Sequence, residues 1–132
     1  MHSNQIGDIS ELKVATRLME LGHTVSMPVG NTSRYDLLLD NGNSILRIQV
    51  KTARWHSDKD CIAFDVKSYN VNTKVNKDYH GDVDYFGVYF PDNDKCYFIP
   101  INICGISTKT LRINSTKNGQ KYGVHFAEDF EM

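Results

Sequence analysis

Residues 33–51 read SRYDLLLDNGNSILRIQVK, and this stretch predicts a β-hairpin. Two runs rich in Leu and Ile flank Asn41 and Gly42, a pair that favours the positive φ angles of a tight two-residue turn. If these two residues form the centre of the turn, Asp36 lies opposite Arg47. The turn therefore predicts a register for the two strands as well as their pairing.

The predicted register gives the hairpin one polar and one apolar face. Side chains alternate between the faces of a strand, so Asp36, Arg47, Gln49 and Lys51 share the polar face. A charged side chain inside such a hairpin costs free energy unless it is compensated. Two explanations remain open, namely a salt bridge on a solvated face, or a divalent cation bound by a carboxylate and an amide oxygen of neighbouring strands. The apolar face comprises Leu37, Leu39, Leu46, Ile48 and Val50.

The polar residues of the hairpin resemble a nuclease motif. Asp36, followed after twelve residues by Gln49-Val50-Lys51, is similar to the core motif of the PD-(D/E)XK nuclease superfamily, with Gln49 in place of the second acid. Tyr35 stands where the motif has proline. The surrounding sequence resembles a small single-domain QxK branch, to which an intron-encoded homing endonuclease belongs, and it is also similar to archaeal Holliday-junction resolvases. The segments that carry the likeness are residues 7–11, 34–37, 48–54 and 81–86.

The resemblance implies a fold, an activity and a set of site residues. The fold is α/β, with a mixed central β-sheet, a flanking helix and an αβββαβ restriction-endonuclease-like core in a single domain over residues 1–132. The activity is hydrolysis of DNA phosphodiester bonds with Mg²⁺, for which Mn²⁺ could substitute. The implied catalytic residues are Glu11, Asp36, Gln49 and Lys51. The implied metal ligands are Asp36, Gln49, the Val50 carbonyl and Glu11.

Three functions are compatible with this motif. The first is a sequence-selective endonuclease of the homing or restriction type that cuts duplex DNA, and the second is a Holliday-junction resolvase. The third, a non-catalytic DNA-binding module, stays open because the Gln49 amide carries no negative charge and should bind metal less tightly than an acid. Cutting both strands of double-stranded DNA requires two sites, so we expect a homodimer or homotetramer.

A helix is predicted before the hairpin, from about Ile6 to Leu21. Its apolar residues recur at spacings of three and four, and Gly22 offers a C-cap. Asp8 and Glu11 lie near its start on one face, where they could form a capping box. The resemblance instead implies that Glu11 joins the strand acid near the metal. For Asp8 the two roles remain equally open.

Further strands are predicted at residues 23–29, 61–69 and 110–114, and a second hairpin at residues 83–101. The polar stretches 70–77 and 115–121 are predicted to be loops. The first of these loops is asparagine-rich and basic, and it could follow a phosphate backbone or enter a groove.

The charges of the chain are unevenly distributed. The formal net charge is −1, which argues against a protein that binds nucleic acid only through a general positive charge. However, basic residues are concentrated in the middle of the chain and acidic residues near its end. Such an uneven field can bind phosphates, although dispersed surface residues that only aid solubility are the alternative. The predicted DNA-binding residues are Ser33, Arg34, Arg47, Arg54, Lys74 and Lys77.

Several classes of protein are disfavoured by the sequence. No segment approaches the roughly 18 continuous apolar residues of a membrane span, and the N-terminus lacks the pattern of a signal peptide. The three cysteines include no Cys-x-x-Cys pair, so neither a zinc site nor a disulfide framework is expected. We expect an intracellular, cytoplasmic protein that associates with DNA at the nucleoid and not with a membrane.

Overall fold

A computed structural model describes residues 2–114 and 123–132. One α-helix and ten β-strands lie within these ranges. In chain order they are α1 (Ser3–Glu20), β1 (Thr24–Ser26), β2 (Leu37–Asp40), β3 (Ile45–Thr52), β4 (Arg54–Trp55), β5 (Cys61–Asp65), β6 (Lys67–Asn70), β7 (Val75–Asp78), β8 (Tyr85–Phe90), β9 (Lys95–Pro100) and β10 (Thr108–Arg112). Two short 3₁₀ segments lie at Ile101–Ile103 and Ala127–Phe130.

The central sheet is mixed and has the strand order β1-β2-β3-β8-β9. Its central pair, β3 and β8, is parallel, whereas the other neighbouring strands are antiparallel. The predicted fold class, α/β with a mixed central sheet and a flanking helix, is confirmed. In an αβββαβ core, a second helix connects the two parallel strands. Here the connection from β3 to β8 contains β4, β5, β6 and β7 instead.

Helix α1 covers one face of the central sheet. Its residues Val14 and Leu18 are buried in a cluster with the apolar side chains of β2 and β3. A Cβ atom added to Gly87 of β8 would lie 2.6 Å from Val14 Cγ1 and 3.2 Å from Ile48 Cγ2. The missing side chain therefore lets the helix approach the sheet closely. This contact lies one helical turn after Glu11 and fixes how deeply that part of α1 sits.

The opposite face of the central sheet packs against a second layer. This layer includes a three-stranded sheet with the order β10-β5-β4. The ring of Phe86 in β8 makes edge-to-face contacts with Phe64 of β5 and with Tyr79, at centroid distances of 5.6 Å and 5.7 Å. Strands β6 and β7 form a separate two-stranded hairpin.

The hairpin predicted for residues 33–51 is present as the antiparallel pair of β2 and β3. Its predicted register was wrong by two residues, because Leu38 and not Asp36 lies opposite Arg47. A shift of two residues preserves the alternation of faces. The predicted apolar face therefore still faces the core, where Leu37, Leu39, Ile48 and Val50 are buried.

A four-residue connection replaces the two-residue turn. Asp40 pairs with Ile45, and the Asp40 carboxylate accepts the Gly42 N–H at 2.9 Å. Asn41 Oδ1 accepts the N–H groups of residues 43 and 44, both at 2.9 Å. These side-chain hydrogen bonds build Asx-type turns, and they override the preference of the Asn-Gly pair for a tight turn.

Helix α1 begins earlier than predicted. It starts at Ser3, and the His2 ring nitrogen caps it by accepting the Asn4 N–H at 3.4 Å. Asp8 and Glu11 consequently lie beyond the first turn. The capping box considered for these two acids was therefore wrong.

Two other segments differ from their predicted form. The strand predicted at residues 61–69 is divided into β5 and β6 at Val66, whose N–H donates to the Ser107 carbonyl at 2.9 Å. The loop predicted at residues 70–77 is instead part of the β6–β7 hairpin. The loop predicted at residues 115–121 lies outside the described residues.

The second predicted hairpin is confirmed as β8 and β9. Cys96 and Cys104 are buried free thiols, and Cys61 is a partly exposed free thiol. Within the described ranges, no helix has the length and apolar character needed to span a membrane.

Candidate active site

Asp36 lies where β2 separates from β3. Its backbone N–H donates to the Ile48 carbonyl at 2.8 Å, and its Oδ2 accepts the Val50 N–H at 2.9 Å. The carboxylate thus acts as a hydrogen-bond acceptor for β3 at the end of the strand pair. Burial raises the pKa of Asp36, while the Val50 N–H and the positive charge of Lys51 act to lower it.

The alternation of faces breaks at Asp36. Tyr35 packs against the cluster of the second layer, whereas Leu37 belongs to the cluster beneath α1. Residues two apart in a regular strand point to the same face, whereas Tyr35 and Leu37 point to opposite faces. The chain therefore crosses between the layers here. Alternation alone therefore does not place Asp36, which lies between the two layers and interacts with charges from both.

Glu11 approaches this position from α1. Its side chain is partly buried, and burial raises its pKa, with further increases from the negative charges of Asp36 and Asp8. Asp8 itself is exposed. The helix is attached here by a 2.6 Å hydrogen bond between Ser10 Oγ and Thr52 Oγ1 at the end of β3. Helix and strand thus bring two carboxylates into one electrostatically coupled site.

Gln49 and Lys51 lie on the face of β3 that is turned away from α1. Both are partly exposed, and Gln49 is next to Phe86 in the parallel register with β8. The Lys51 ammonium lies 3.5 Å from both the Lys67 carbonyl and the Tyr79 hydroxyl. No carboxylate of residues 2–114 or 123–132 lies within ion-pair distance of this ammonium. Its positive charge therefore remains available to a ligand.

These side chains fit a divalent cation that takes oxygen ligands. Within the described ranges, neither the side chains of Glu11 and Gln49 nor the second carboxylate oxygen of Asp36 has a hydrogen-bond partner. Burial opposes the ionisation of both acids, the negative charge of Asp36 further opposes that of Glu11, and a bound cation would offset both costs. The same ranges contain no group of three or more His, Cys, Asp or Glu side chains suited to a metal. An amide oxygen and a backbone carbonyl would therefore complete the ligand set.

Comparison with known proteins identifies the family of this chain. Residues 1–132 match the profile of the PD-(D/E)XK endonuclease family. The chain belongs to this family. The resemblance predicted from residues 33–51 and their surroundings is thereby confirmed over residues 1–132.

A solved structure of a homing endonuclease shows the same fold. The structure of a bacterial homing endonuclease, I-Ssp6803I, is similar with a TM-score of 0.81 and 20% identity, covering 99% of this chain and 89% of that one. Hjc, a Holliday junction resolvase from Archaeoglobus fulgidus, is matched with a TM-score of 0.49 and 16% identity over 93% of each chain. No curated protein matches the sequence.

Tyr79 supports the candidate site and was not predicted from the sequence. It is buried, and two cations pack over its ring, with Arg34 Cζ 4.0 Å and Lys51 Nζ 4.9 Å from its centroid. Nothing in the sequence distinguishes it from the other six of the seven tyrosines. Only the fold shows that it holds the lysine of the motif.

The three arginines predicted to bind DNA make contacts within the chain. Arg34 donates to Asp82 at 3.2 Å and to Ser68 Oγ at 2.6 Å. Arg47 pairs with Asp84 at 3.3 Å, where its charge and hydrogen bonds lower the pKa of that acid against the opposing effect of burial. The third pair joins Arg54 to Asp65 at 3.1 Å.

The other predicted DNA-binding residues are more accessible. The side chains of Ser33 and Lys74 are exposed, and neither has a hydrogen-bond partner among the residues that the structure describes. Lys77 is also exposed, and its ammonium lies 3.8 Å from the Asp82 carboxylate. These three residues can meet a phosphate without first giving up a short contact.

Proposed function

We propose that this protein is a metal-dependent endonuclease that hydrolyses phosphodiester bonds of duplex DNA with the sequence selectivity of a homing or restriction enzyme. One observation carries the proposal: Asp36 is coupled to a second carboxylate, Glu11, on one side and to an ammonium without an acidic partner, Lys51, on the other. Phosphodiester hydrolysis needs this combination, since negative ligands hold a cation and positive charge stabilises the phosphate.

The proposed ligands of Mg²⁺, or of Mn²⁺ as a substitute, are Asp36, Glu11, Gln49 and the Val50 carbonyl. When bound, the cation supplies Lewis-acid stabilisation of the negative charge that develops on phosphate oxygens and on the leaving 3′ oxygen. Both carboxyl groups must be deprotonated to serve as ligands. Gln49 adds an oxygen without adding charge, which favours a weaker metal site than one with a third acid.

Lys51 has two proposed roles. Its ammonium binds a non-bridging phosphate oxygen, and its charge favours the ionisation of an attacking water molecule nearby. Tyr79 positions the ammonium through its ring face and hydroxyl, and the Arg34 guanidinium also packs over the Tyr79 ring. A cation over an aromatic face is stabilised by about 0.5–2 kcal/mol.

The proposed partner is double-stranded DNA, contacted by Ser33, Lys74 and Lys77. Contacts of Arg34, Arg47 and Arg54 with phosphate would replace their present ion pairs. Cleavage of both strands needs two sites, so the proposed assembly is a homodimer or homotetramer. Such an enzyme would act on intracellular DNA at the nucleoid.

The proposal is tested with a library of supercoiled plasmids that carry random inserts. Wild-type protein with Mg²⁺ is expected to produce linear DNA, and sequencing of the ends should show shared sequences at the cuts. Asp36→Asn should lower the cleavage rate at least 100-fold, because the metal loses its central ligand. Asp129→Asn is the matched control, because Asp129 is an exposed acid that is distant in sequence from the motif. This variant should cleave DNA as the wild type does.

Two outcomes would contradict the proposal. One is cleavage that persists in EDTA, and the other is an Asp36→Asn variant as active as Asp129→Asn. A parallel reaction with four-way junctions separates the candidate activities. Preferential cutting of the junction would identify a resolvase in place of an enzyme that selects linear sequence.

A further inference from the structure

The β6–β7 hairpin projects from the candidate active site. It forms a sheet of two strands only, and residues 69–77 are all exposed. Its base is held by the site, because Arg34 donates to Ser68 Oγ and to the Asp78 carbonyl, each at 2.6 Å. The Lys51 ammonium lies 3.5 Å from the Lys67 carbonyl, also at that base. Both strands of the hairpin are therefore fixed to residues next to the proposed scissile bond.

The charge of the hairpin indicates what it binds. Residues 67–78 contain three lysines, Lys67, Lys74 and Lys77, and one acid, Asp78. That acid lies at the base, where its carboxylate accepts the His80 N–H at 2.9 Å. Lysines along unpaired edges disfavour strand pairing with a second copy of the chain, whereas positive charge attracts phosphate. The surface is complementary to nucleic acid.

We propose that the β6–β7 hairpin enters the major groove of duplex DNA and reads base sequence there, an inference that rests on the proposed nuclease function. The major groove is about 12 Å wide and about 8.5 Å deep, and it admits a two-stranded β-ribbon. The three residue steps from Lys67 to Asn70 span about 10 Å at about 3.3 Å each. A ribbon of this length can therefore lie in the groove with one face against the base edges.

The register of the hairpin assigns the contacts. Tyr69 and Asn76 lie opposite each other on one face, and neither side chain is hydrogen-bonded to another residue in the described ranges. The Asn76 amide can donate to N7 and accept from N6 of one adenine, a pairing that distinguishes it from other bases. Lys74 lies in the turn between the strands, where its ammonium binds a backbone phosphate and carries no sequence information.

The test compares Asn76→Ala with Lys74→Gly in a selection of bound duplexes from a randomised library with Ca²⁺ in place of Mg²⁺. Asn76→Ala should lose about 5- to 100-fold discrimination at one or two base pairs and keep the remaining preference. Lys74→Gly should weaken binding to all sequences alike and reduce the slope of log affinity against log salt by about 1.

Matched controls exist for both variants. Lys59 has a φ of 58°, almost the 57° of Lys74, so Lys59→Gly removes the same charge from the same backbone conformation. Asn102→Ala removes an exposed amide elsewhere. Both controls should bind with the preference and salt dependence of the wild type.

The results separate this inference from the nuclease proposal. Three outcomes would overturn the inference. They are an unchanged base preference in Asn76→Ala, an unchanged salt slope in Lys74→Gly, and sedimentation data showing that the hairpin serves only to join two copies of the chain. Loss of preference in Asn76→Ala without any cleavage by the wild type in Mg²⁺ would instead support the inference and contradict the nuclease proposal.

Discussion

The carboxyl of Asp36 is kept by the fold in a position that opposes its own ionisation. Burial raises its pKa. The contribution of such a group to the free energy of unfolding is greatest at pH values below its pKa in the unfolded chain. That contribution is lost as the pH rises through its pKa in the folded protein. At neutral pH without metal, the ionised Asp36 is therefore a source of instability. This is the usual trade between stability and activity at a functional site.

Asp36→Asn should stabilise the metal-free protein. The amide oxygen can still accept the Val50 N–H, but the buried charge is removed. In EDTA at pH 7, we expect the free energy of unfolding of the variant to be about 1 kcal/mol larger than that of the wild type, which corresponds to a Tm about 3 °C higher. Calorimetry of Asp129→Asn serves as the control and should show no such gain. A lower Tm for Asp36→Asn would contradict the burial and coupling assigned to this carboxyl.

The ring of Tyr79 should matter more than its hydroxyl. Tyr79→Phe keeps the face on which Lys51 rests, so cleavage should stay within about 3-fold of wild type. Tyr79→Leu removes the cation–π contact and should lower kcat about 10-fold, a loss that corresponds to about 1.4 kcal/mol. The KM for DNA should change little. If both variants lose activity equally, the hydroxyl and not the ring positions the lysine.

At the level of single residues, the sequence predicted the motif but not its support. Asp36, Gln49 and Lys51 are recognisable because their spacing resembles a family motif. Tyr79 has no such spacing, and its role depends on a contact between separate elements. The raised pKa of Glu11 likewise depends on how deeply a helix packs, which periodicity does not reveal.

The position of α1 relative to the sheet depends on one glycine. Gly87→Ala would place a Cβ 2.6 Å from Val14 Cγ1, and the helix or the strand must move. We expect a loss of about 1–3 kcal/mol in the free energy of unfolding and a fall in cleavage, because Glu11 moves with the helix. Denaturant unfolding and plasmid cleavage measure the two effects.

A double variant controls for this explanation. Val14→Ala removes the atoms that clash, so Gly87→Ala should cost clearly less free energy in the Val14→Ala background than in the wild type. Such coupling is the signature of two groups in direct contact. Additive losses would show that the packing at Gly87 does not position the helix.

Elements were predictable where one local pattern dominates. Helix α1 and the pairs β2–β3 and β8–β9 follow from periodicity and turn residues. The register of β2–β3 did not, because the side chains of Asp40 and Asn41 hydrogen-bond to the connection and lengthen it. The division of residues 61–69 at Val66 depends on pairing with a distant strand, and alternation along one strand carries no information about its partner.

The whole molecule holds one proposed site, and this sets its expected assembly. Two sites related by two-fold symmetry can cut both strands in one encounter. We expect even oligomers in analytical ultracentrifugation and plasmid that passes directly from supercoiled to linear form. A monomer that accumulates nicked circles would contradict this expectation. The sequence predicted the fold class through the family resemblance, but a subunit interface depends on a surface of the folded chain that no motif encodes.

The central claim is that Asp36, Glu11 and Gln49 hold a divalent cation beside Lys51. Electron paramagnetic resonance of Mn²⁺ titrated into the DNA-free protein measures that binding directly, without any cleavage. We expect saturable binding by the wild type, its loss in Asp36→Asn, and its retention in a Lys51→Met variant that no longer cuts DNA. Mn²⁺ binding that is the same in Asp36→Asn as in the wild type would contradict the claim.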